Sequence, residues 1–337
     1  MKKFFAILIS MILLFTTVAC TNQDDIVSSS INDVSSDTPL VKTDVNMAVL
    51  KGPTAFGTLG LMNANENETS KNKYNFTISA APDEVNGKII KGEVDIAAVP
   101  ANVASVLFNK TNGEVQMLAI NTLGTLYVVS KNIEINSVSD LKGQTIYLYG
   151  QGSTPEFALD YILKQNGLDP EKDVNIEFKS EHAEAVAKLV SSESGIAVLP
   201  EPFVTNAINK DAQISMVLDL TQEWNKVGNG SELVMGCIVA RKSFIESNPQ
   251  AIIDFLAEYE ESIKLTETDV VTVAQLSEKN DIIPAKVAEK AIPNCNIVYI
   301  DGEEMKTAVS GFFGVLFEMN PNSIGGTLPS EELYYIK

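Results

Sequence analysis

Five times along this chain a short apolar run ends, a proline follows, and a helix-forming stretch begins. The junctions are Gly52-Pro53-Thr54, Ala81-Pro82-Asp83, Val99-Pro100-Ala101, Thr154-Pro155-Glu156 and Leu199-Pro200-Glu201-Pro202. Proline suits the first turn of a helix, where its fixed φ is already helical and its missing N–H would have had no partner. The preceding runs read as strands: 47–50, 76–79, 94–99, 115–120, 126–130, 145–148, 174–178, 196–199, 214–218 and 234–240. Strands spaced by helical segments predict an α/β fold with largely parallel sheets. After Pro249 the pattern turns helical, over 250–265, 268–279, 284–291 and 303–319. In an open parallel sheet such junctions lie at the carboxyl ends of the strands, where ligands bind and helix N–H groups point into a crevice. A single junction is explained by proline's liking for helix starts; five on one edge point to a shared crevice.

The start of the chain carries a different signal. Lys2 and Lys3 precede an apolar run from Phe4 to Phe15, and Thr16-Thr17-Val18-Ala19 lead into Cys20. Basic, apolar and then small residues make a secretory leader. The run is too short for a membrane-spanning helix, which needs about 20 apolar residues. A cysteine directly after the small residues resembles a bacterial lipoprotein signal, in which Cys20 becomes the lipid-bearing first residue. That signal usually has Leu three places earlier, where this chain has Thr17. Residues 1–20 are therefore expected to be a signal peptide. The Ser-, Asp- and Asn-rich stretch 21–43 is expected to be a flexible tether.

Charge and residue usage exclude several functions. With 25 Lys and Arg against 44 Asp and Glu the formal charge is −19. Nucleic acid is excluded as a partner of a basic face, and anionic lipid would repel the chain, so a covalent anchor suits it better than adsorption. Arg241 is the sole arginine and His182 the sole histidine. At most one bidentate arginine clamp can exist, and zinc sites built on several histidines are ruled out. Beyond Cys20 the cysteines are Cys237 and Cys295, which read as separate buried thiols, although pairing stays open.

Two glycine motifs fall short of nucleotide chemistry. Gly52 and Gly57 have the spacing of a phosphate-binding loop, but Thr58 stands where that loop needs lysine. Gly150-Gln151-Gly152-Ser153-Thr154-Pro155 begins like a dinucleotide fingerprint and ends in proline. Both read as tight turns, with Gln151 and Gly152 at the rim, that deliver the hydroxyls of Thr54, Ser153 and Thr154 to a ligand. For Ser153 a capping role is equally open. His182 follows the strand 174–178 on the same predicted edge and reads either as a solvated helix start or, with Glu181, as a ligand contact. A metal site from Glu181, His182 and Glu184 is disfavoured by its single imidazole. Glu201 sits between two prolines that would hold its carboxylate. Trp224, flanked by Glu223, Asn225 and Lys226, is expected to be a cleft wall that stacks on a flat ligand. Tyr127 is read as a core strand residue.

Several of these blocks resemble extracytoplasmic solute-binding proteins of ABC importers. Val94-Asp95-Ile96-Ala97-Ala98-Val99-Pro100 is similar to a strand-and-turn block of that family. Asp140-Leu141-Lys142-Gly143-Gln144-Thr145-Ile146 with Gly152-Ser153-Thr154-Pro155-Glu156 is similar to the start of its second lobe, and Leu199-Pro200-Glu201-Pro202-Phe203 to a third shared segment. The resemblance is to the nitrate, sulfonate and taurine type, which also includes binders of thiamine precursors. It spans roughly residues 45–320 and implies a fold like type II periplasmic binding proteins: two α/β lobes joined by two crossing strands, with the solute between them. On that template 126–130 and 234–240 would be the crossings, 44–130 and 236–337 the first lobe, and 131–235 the second. The ligand contacts it implies are Pro53, Thr54, Ala55, Pro100, Ala101, Ser153, Thr154 and Glu201; Pro82 joins them from the proline junctions.

The resemblance implies a lipid-anchored, monomeric receptor outside the cytoplasm that hands a small solute to an ABC permease and its ATPase, with no cofactor. Scarce arginine, edge acids and Trp224 favour a neutral or cationic heterocycle of pyrimidine or thiamine type. Helix N-termini bind anions unaided, so a sulfonate stays open. Enzymes of pyrimidine synthesis and dehydratases share the architecture. The pyrimidine-forming ones rely on a cysteine-rich motif and histidines that this chain lacks. A ligand sensor without transport is the third reading.

Overall fold

All ten apolar runs form strands, and an eleventh lies within the helical region after Pro249. The computed structural model describes residues 42–79, 82–228 and 230–336. Cys20, the expected signal peptide and nearly all of the expected tether lie outside the described residues. In chain order the elements begin with β1 (Asp44–Leu50), α1 (Pro53–Phe56), α2 (Leu59–Glu66), β2 (Lys73–Ser79), α3 (Pro82–Ile90), β3 (Ile96–Pro100), α4 (Ala101–Lys110) and β4 (Val115–Leu123). Then come β5 (Leu126–Lys131), β6 (Thr145–Tyr149), α5 (Thr154–Gln165), β7 (Asn175–Lys179), α6 (His182–Ser191), β8 (Gly195–Pro200), α7 (Phe203–Lys210), β9 (Ile214–Asp219) and α8 (Leu220–Val227). The last are β10 (Val234–Arg241), α9 (Lys242–Ser247), α10 (Pro249–Thr268), α11 (Val270–Lys279), α12 (Ala285–Ala291), β11 (Ile297–Ile300) and α13 (Gly302–Met319).

The strands form two sheets among the described residues, ordered β11-β4-β10-β3-β1-β2 and β7-β6-β8-β5-β9. Both sheets are mixed, which corrects the expectation of largely parallel ones. β1 runs parallel to β2 and β3, and β6 runs parallel to β7 and β8, as strand–helix–strand units require. β10 is antiparallel to β3 and β4, and β5 is antiparallel to β8 and β9. These two strands enter their sheets from the other sheet's side, so they run against their neighbours. β5 pairs along its whole length within the second sheet, Leu126 with Pro200 and Lys131 with Gly195. The chain therefore crosses at Gly124-Thr125, ahead of the expected 126–130. The return crossing ends where β10 starts.

Helices cover both faces of each sheet. Residues of α3, α4 and α13 pack on one face of the first sheet, and those of α1, α2 and α10–α12 on the other. α5 and α8 cover one face of the second sheet, and α6 and α7 the other. The core under α13 runs on to α8 through the ring contact of Phe312 with Trp224, centroids 5.8 Å apart. Cys237 and Cys295 are both buried and unpaired. Arg241 ends β10 at the amino edge of β3, since Ala240 pairs with Ile96. There it meets the buried Asp95, Nη2 to Oδ1 2.5 Å, while Asp95 Oδ2 accepts from Asn46 N at 2.9 Å. The sole arginine is a structural brace at the edge opposite Pro100.

Candidate ligand-binding site

Two chain crossings force the carboxyl edges of the sheets to face each other. β4 ends beside the carboxyl end of β3: Leu123 pairs with Val234, and Gly236 bridges Thr122 and Pro100. β5 begins beside the carboxyl end of β8, where Leu126 pairs with Pro200. Only Gly124 and Thr125 lie between, so Leu123 and Leu126 are at most ~11 Å apart. The return path leaves β9 at Asp219, beside Tyr127, and reaches β10 through α8. Hydrogen bonds hold the crossing. Gly124 O accepts from Thr221 Oγ1 at 3.0 Å and Asn296 Nδ2 at 2.5 Å, and Thr125 O accepts from Glu201 N at 3.0 Å. A side chain at Gly124 would collide with this arrangement: a Cβ there would sit 2.1 Å from Thr221 Oγ1.

The first edge presents the starts of three helices. Pro53 opens α1, Pro82 opens α3, and Pro100 precedes α4 as its N-cap. Ala55 and Ala101 are buried at these starts, so neither offers a side chain, and Ala55 N already donates to Gly52 O at 3.0 Å. Thr54 is half-buried, and its carbonyl accepts from Asn121 Nδ2 at 3.2 Å. Asn121, which the sequence reading did not single out, also donates to Tyr259 Oη at 3.0 Å.

The second edge is built on the turn before α5. Gly150 has φ +87°, and a Cβ there would press within 2.5 Å of Ser153 Oγ. Gln151 and Gly152 are exposed, and Gly152 N donates to the Glu156 carboxylate. Ser153 sits at the N-cap but makes no capping bond; its Oγ is buried without a hydrogen-bond partner. Thr154 follows, half-buried. Glu181 is the exposed N-cap of α6, and His182 comes next. The imidazole lies against Tyr149 (centroids 4.3 Å) and Phe203 (4.9 Å), and its Nδ1 is buried without a partner. Burial pulls its pKa down to about 4, so the ring is neutral at physiological pH. Tyr149 and Phe203 were missed in the sequence, although each is an aromatic residue at a strand-end junction.

Two expected contacts are corrected. Trp224 is fully buried, with Nε1 donating to Ser231 O and Oγ at 3.1 Å and its rings against Tyr161 and Phe312. It has no face left for a ligand, because its polar sequence neighbours point to the far side of α8. Glu201 is turned inward at 1% exposure. Its carboxylate accepts from Thr205 N at 3.1 Å, Thr205 Oγ1 at 3.0 Å and Asn294 Nδ2 at 3.3 Å. Desolvation raises its pKa above the usual carboxylate value, outweighing those bonds. Asn294 also accepts from Tyr127 Oη through its carbonyl at 2.7 Å, so Glu201 and Tyr127 clasp the segment before β11. Tyr127 is a buried strand residue, as read.

Positive charge at the edges is already spent. Lys51 pairs with Asp281 at 2.6 Å, and Lys179 with Glu177. Among the described residues no cluster of His, Cys, Asp and Glu could hold a metal ion, and no helix is long and apolar enough to cross a membrane.

Comparison with known proteins fits this architecture. The family described as "ABC transporter, phosphonate, periplasmic substrate-binding protein" matches residues 62–286. The chain belongs to that family. Solved structures of this solute-binding class overlay most of the chain. An ABC transporter protein of Parabacteroides distasonis is 25% identical, with TM-score 0.74, covering 88% of this chain and 100% of its own. The aliphatic sulphonate-binding protein SsuA of Escherichia coli is 14% identical, with TM-score 0.70, covering 87% and 92%. A putative sulfonate-binding SsuA of Methylobacillus flagellatus is 17% identical, with TM-score 0.66, covering 88% and 92%. These two likenesses establish the fold. No curated protein matches the sequence. The protein is thus an extracytoplasmic solute-binding protein of ABC-importer type, on the two-lobed fold that the sequence motifs implied.

Proposed function

We propose that this solute-binding protein is a lipid-anchored receptor that traps one small molecule between the facing carboxyl edges and releases it to an ABC permease and its ATPase. The observation that carries this reading is the two-residue crossing at Gly124-Thr125, which joins the carboxyl edge of the first sheet to that of the second. The lobes are the first sheet with its helices and the second sheet with α5–α8. Closure would bend the chain at Gly124-Thr125 and at the segment entering β10, as hinge motions do. The anchor would be the lipid on Cys20, and the expected tether 21–43 would give the receptor reach to its permease. On this reading the chain binds and releases its solute without converting it.

Two measurements test this. Cys20→Ser should release the protein from the membrane fraction into the medium; continued retention contradicts lipid anchoring. Mature protein equilibrated with the low-molecular-weight fraction of its culture medium should retain one small molecule per chain in native mass spectrometry, unchanged in mass over hours. Progressive conversion of that molecule would instead support an enzyme.

A further inference from the structure

We propose that the captured solute is a planar ring compound without net negative charge, held against Tyr149, His182 and Phe203 on the second lobe. This rests on the receptor reading above and specifies the chemistry of its site. The three rings come from the end of β6, the start of α6 and the start of α7. All three are half-buried, so each keeps part of its surface open. Such a cluster of aromatic faces stacks on flat ligands and gives little to a compact oxyanion. His182 Nδ1, within this cluster, and Ser153 Oγ, at the start of α5, are buried without partners. Neither reaches solvent, so water does not satisfy them.

The electrostatics point the same way. Arg241 is bound to Asp95 at the opposite sheet edge, and Lys51 and Lys179 are paired with carboxylates. Anion binding would then fall to the helix starts, and on this lobe the turns ahead of α5 and α6 already hold carboxylates. Glu156 accepts from Gly152 N ahead of α5, and Glu184 accepts from Ser180 N at 2.9 Å ahead of α6. A phosphonate, sulfonate or nitrate would displace or face these carboxylates.

Isothermal titration of the mature protein with two probe sets decides the matter. One set holds cytosine, adenine, nicotinamide and 1-methylnicotinamide; the other holds methylphosphonate, ethanesulfonate and nitrate. The proposal expects binding from the ring set, weakened at least tenfold by Tyr149→Leu and by Phe203→Leu. Those variants keep apolar bulk while removing the aromatic face, and circular dichroism checks that they fold. Binding of an oxyanion with affinity unchanged in both variants overturns the ring proposal and leaves the receptor intact. Ring binding that both variants leave unchanged overturns the placement of the solute on these rings. Silence from both sets overturns the ring proposal and counts against the receptor as well.

Discussion

Acidification should expose the burial of His182 as a loss of stability that a single substitution abolishes. The imidazole has a folded-state pKa of about 4 against 6.5 for the free side chain, because burial between Tyr149 and Phe203 penalises the charged form. Between these values the unfolded chain binds a proton that the folded chain refuses. Stability from this group is therefore fully present above 6.5 and is lost as pH falls toward 4. Going from about pH 7 to about pH 5, the linkage relation gives a loss of about 2 kcal/mol. Glu201 works in the opposite sense. Its raised pKa means that the folded state holds the proton more tightly, so acidification through that range adds stability. The His182→Phe variant separates the two, since phenylalanine fits the ring cluster and cannot titrate while Glu201 is untouched. Urea unfolding of both proteins at the two pH values should show wild type losing about 2 kcal/mol more than the variant. Because the chain has one histidine, the imidazole NMR signal of untagged protein reports the same group without assignment. Equal losses in both proteins, or a histidine that titrates near its free value, would refute the burial argument.

Two further predictions concern the frame of the site. Gly124→Ala forces a Cβ to within 2.1 Å of Thr221 Oγ1 and 2.8 Å of Leu233 Cδ2, so it should cost about 1–3 kcal/mol in denaturant unfolding; a neutral effect would mean the crossing is loosely packed. Trp224→Phe should destabilise by about 1–3 kcal/mol, through lost packing and unpaired Ser231 acceptors, and leave solute affinity unchanged. A large drop in affinity at undiminished stability would return Trp224 to the binding surface.

Much of the fold was legible because strand and helix periods are local signals. Each apolar run became a strand, and the four helices after Pro249 appear within a few residues of their expected limits. The proline junctions marked one edge correctly, since β1, β2 and β3 all end toward Pro53, Pro82 and Pro100. β11 escaped notice: four residues after an Ile-Pro-Asn turn carry too little pattern. Strand direction was invisible as well, because the antiparallel entry of β5 and β10 follows from the crossings and not from their composition. Trp224 was misread by weighing its immediate neighbours. Leu220, Thr221 and Trp224 lie one helical turn apart and share the buried face, whereas Glu223 and Lys226 pair with each other and Asn225 is exposed. Glu201 looked like an edge acid because Thr205, four residues on, closes its bonds only once α7 forms. The contact of Tyr149, His182 and Phe203 joins three separate junctions, which no local window can show.

If the solute is a flat ring, as proposed, the two edges would divide the work of holding it. On the first lobe α1 and α4 carry no acid in their first turns, so no carboxylate there competes for the amides behind Pro53 and Pro100, although Ala55 N already donates to Gly52 O. On the second lobe Glu156 and Glu184 consume the amides ahead of α5 and α6, and aromatic faces stand in their place. A ring seated on the second lobe would turn its acceptor atoms toward the amides of the first. Neither edge supplies both stacking and donors, so full affinity requires the lobes to close.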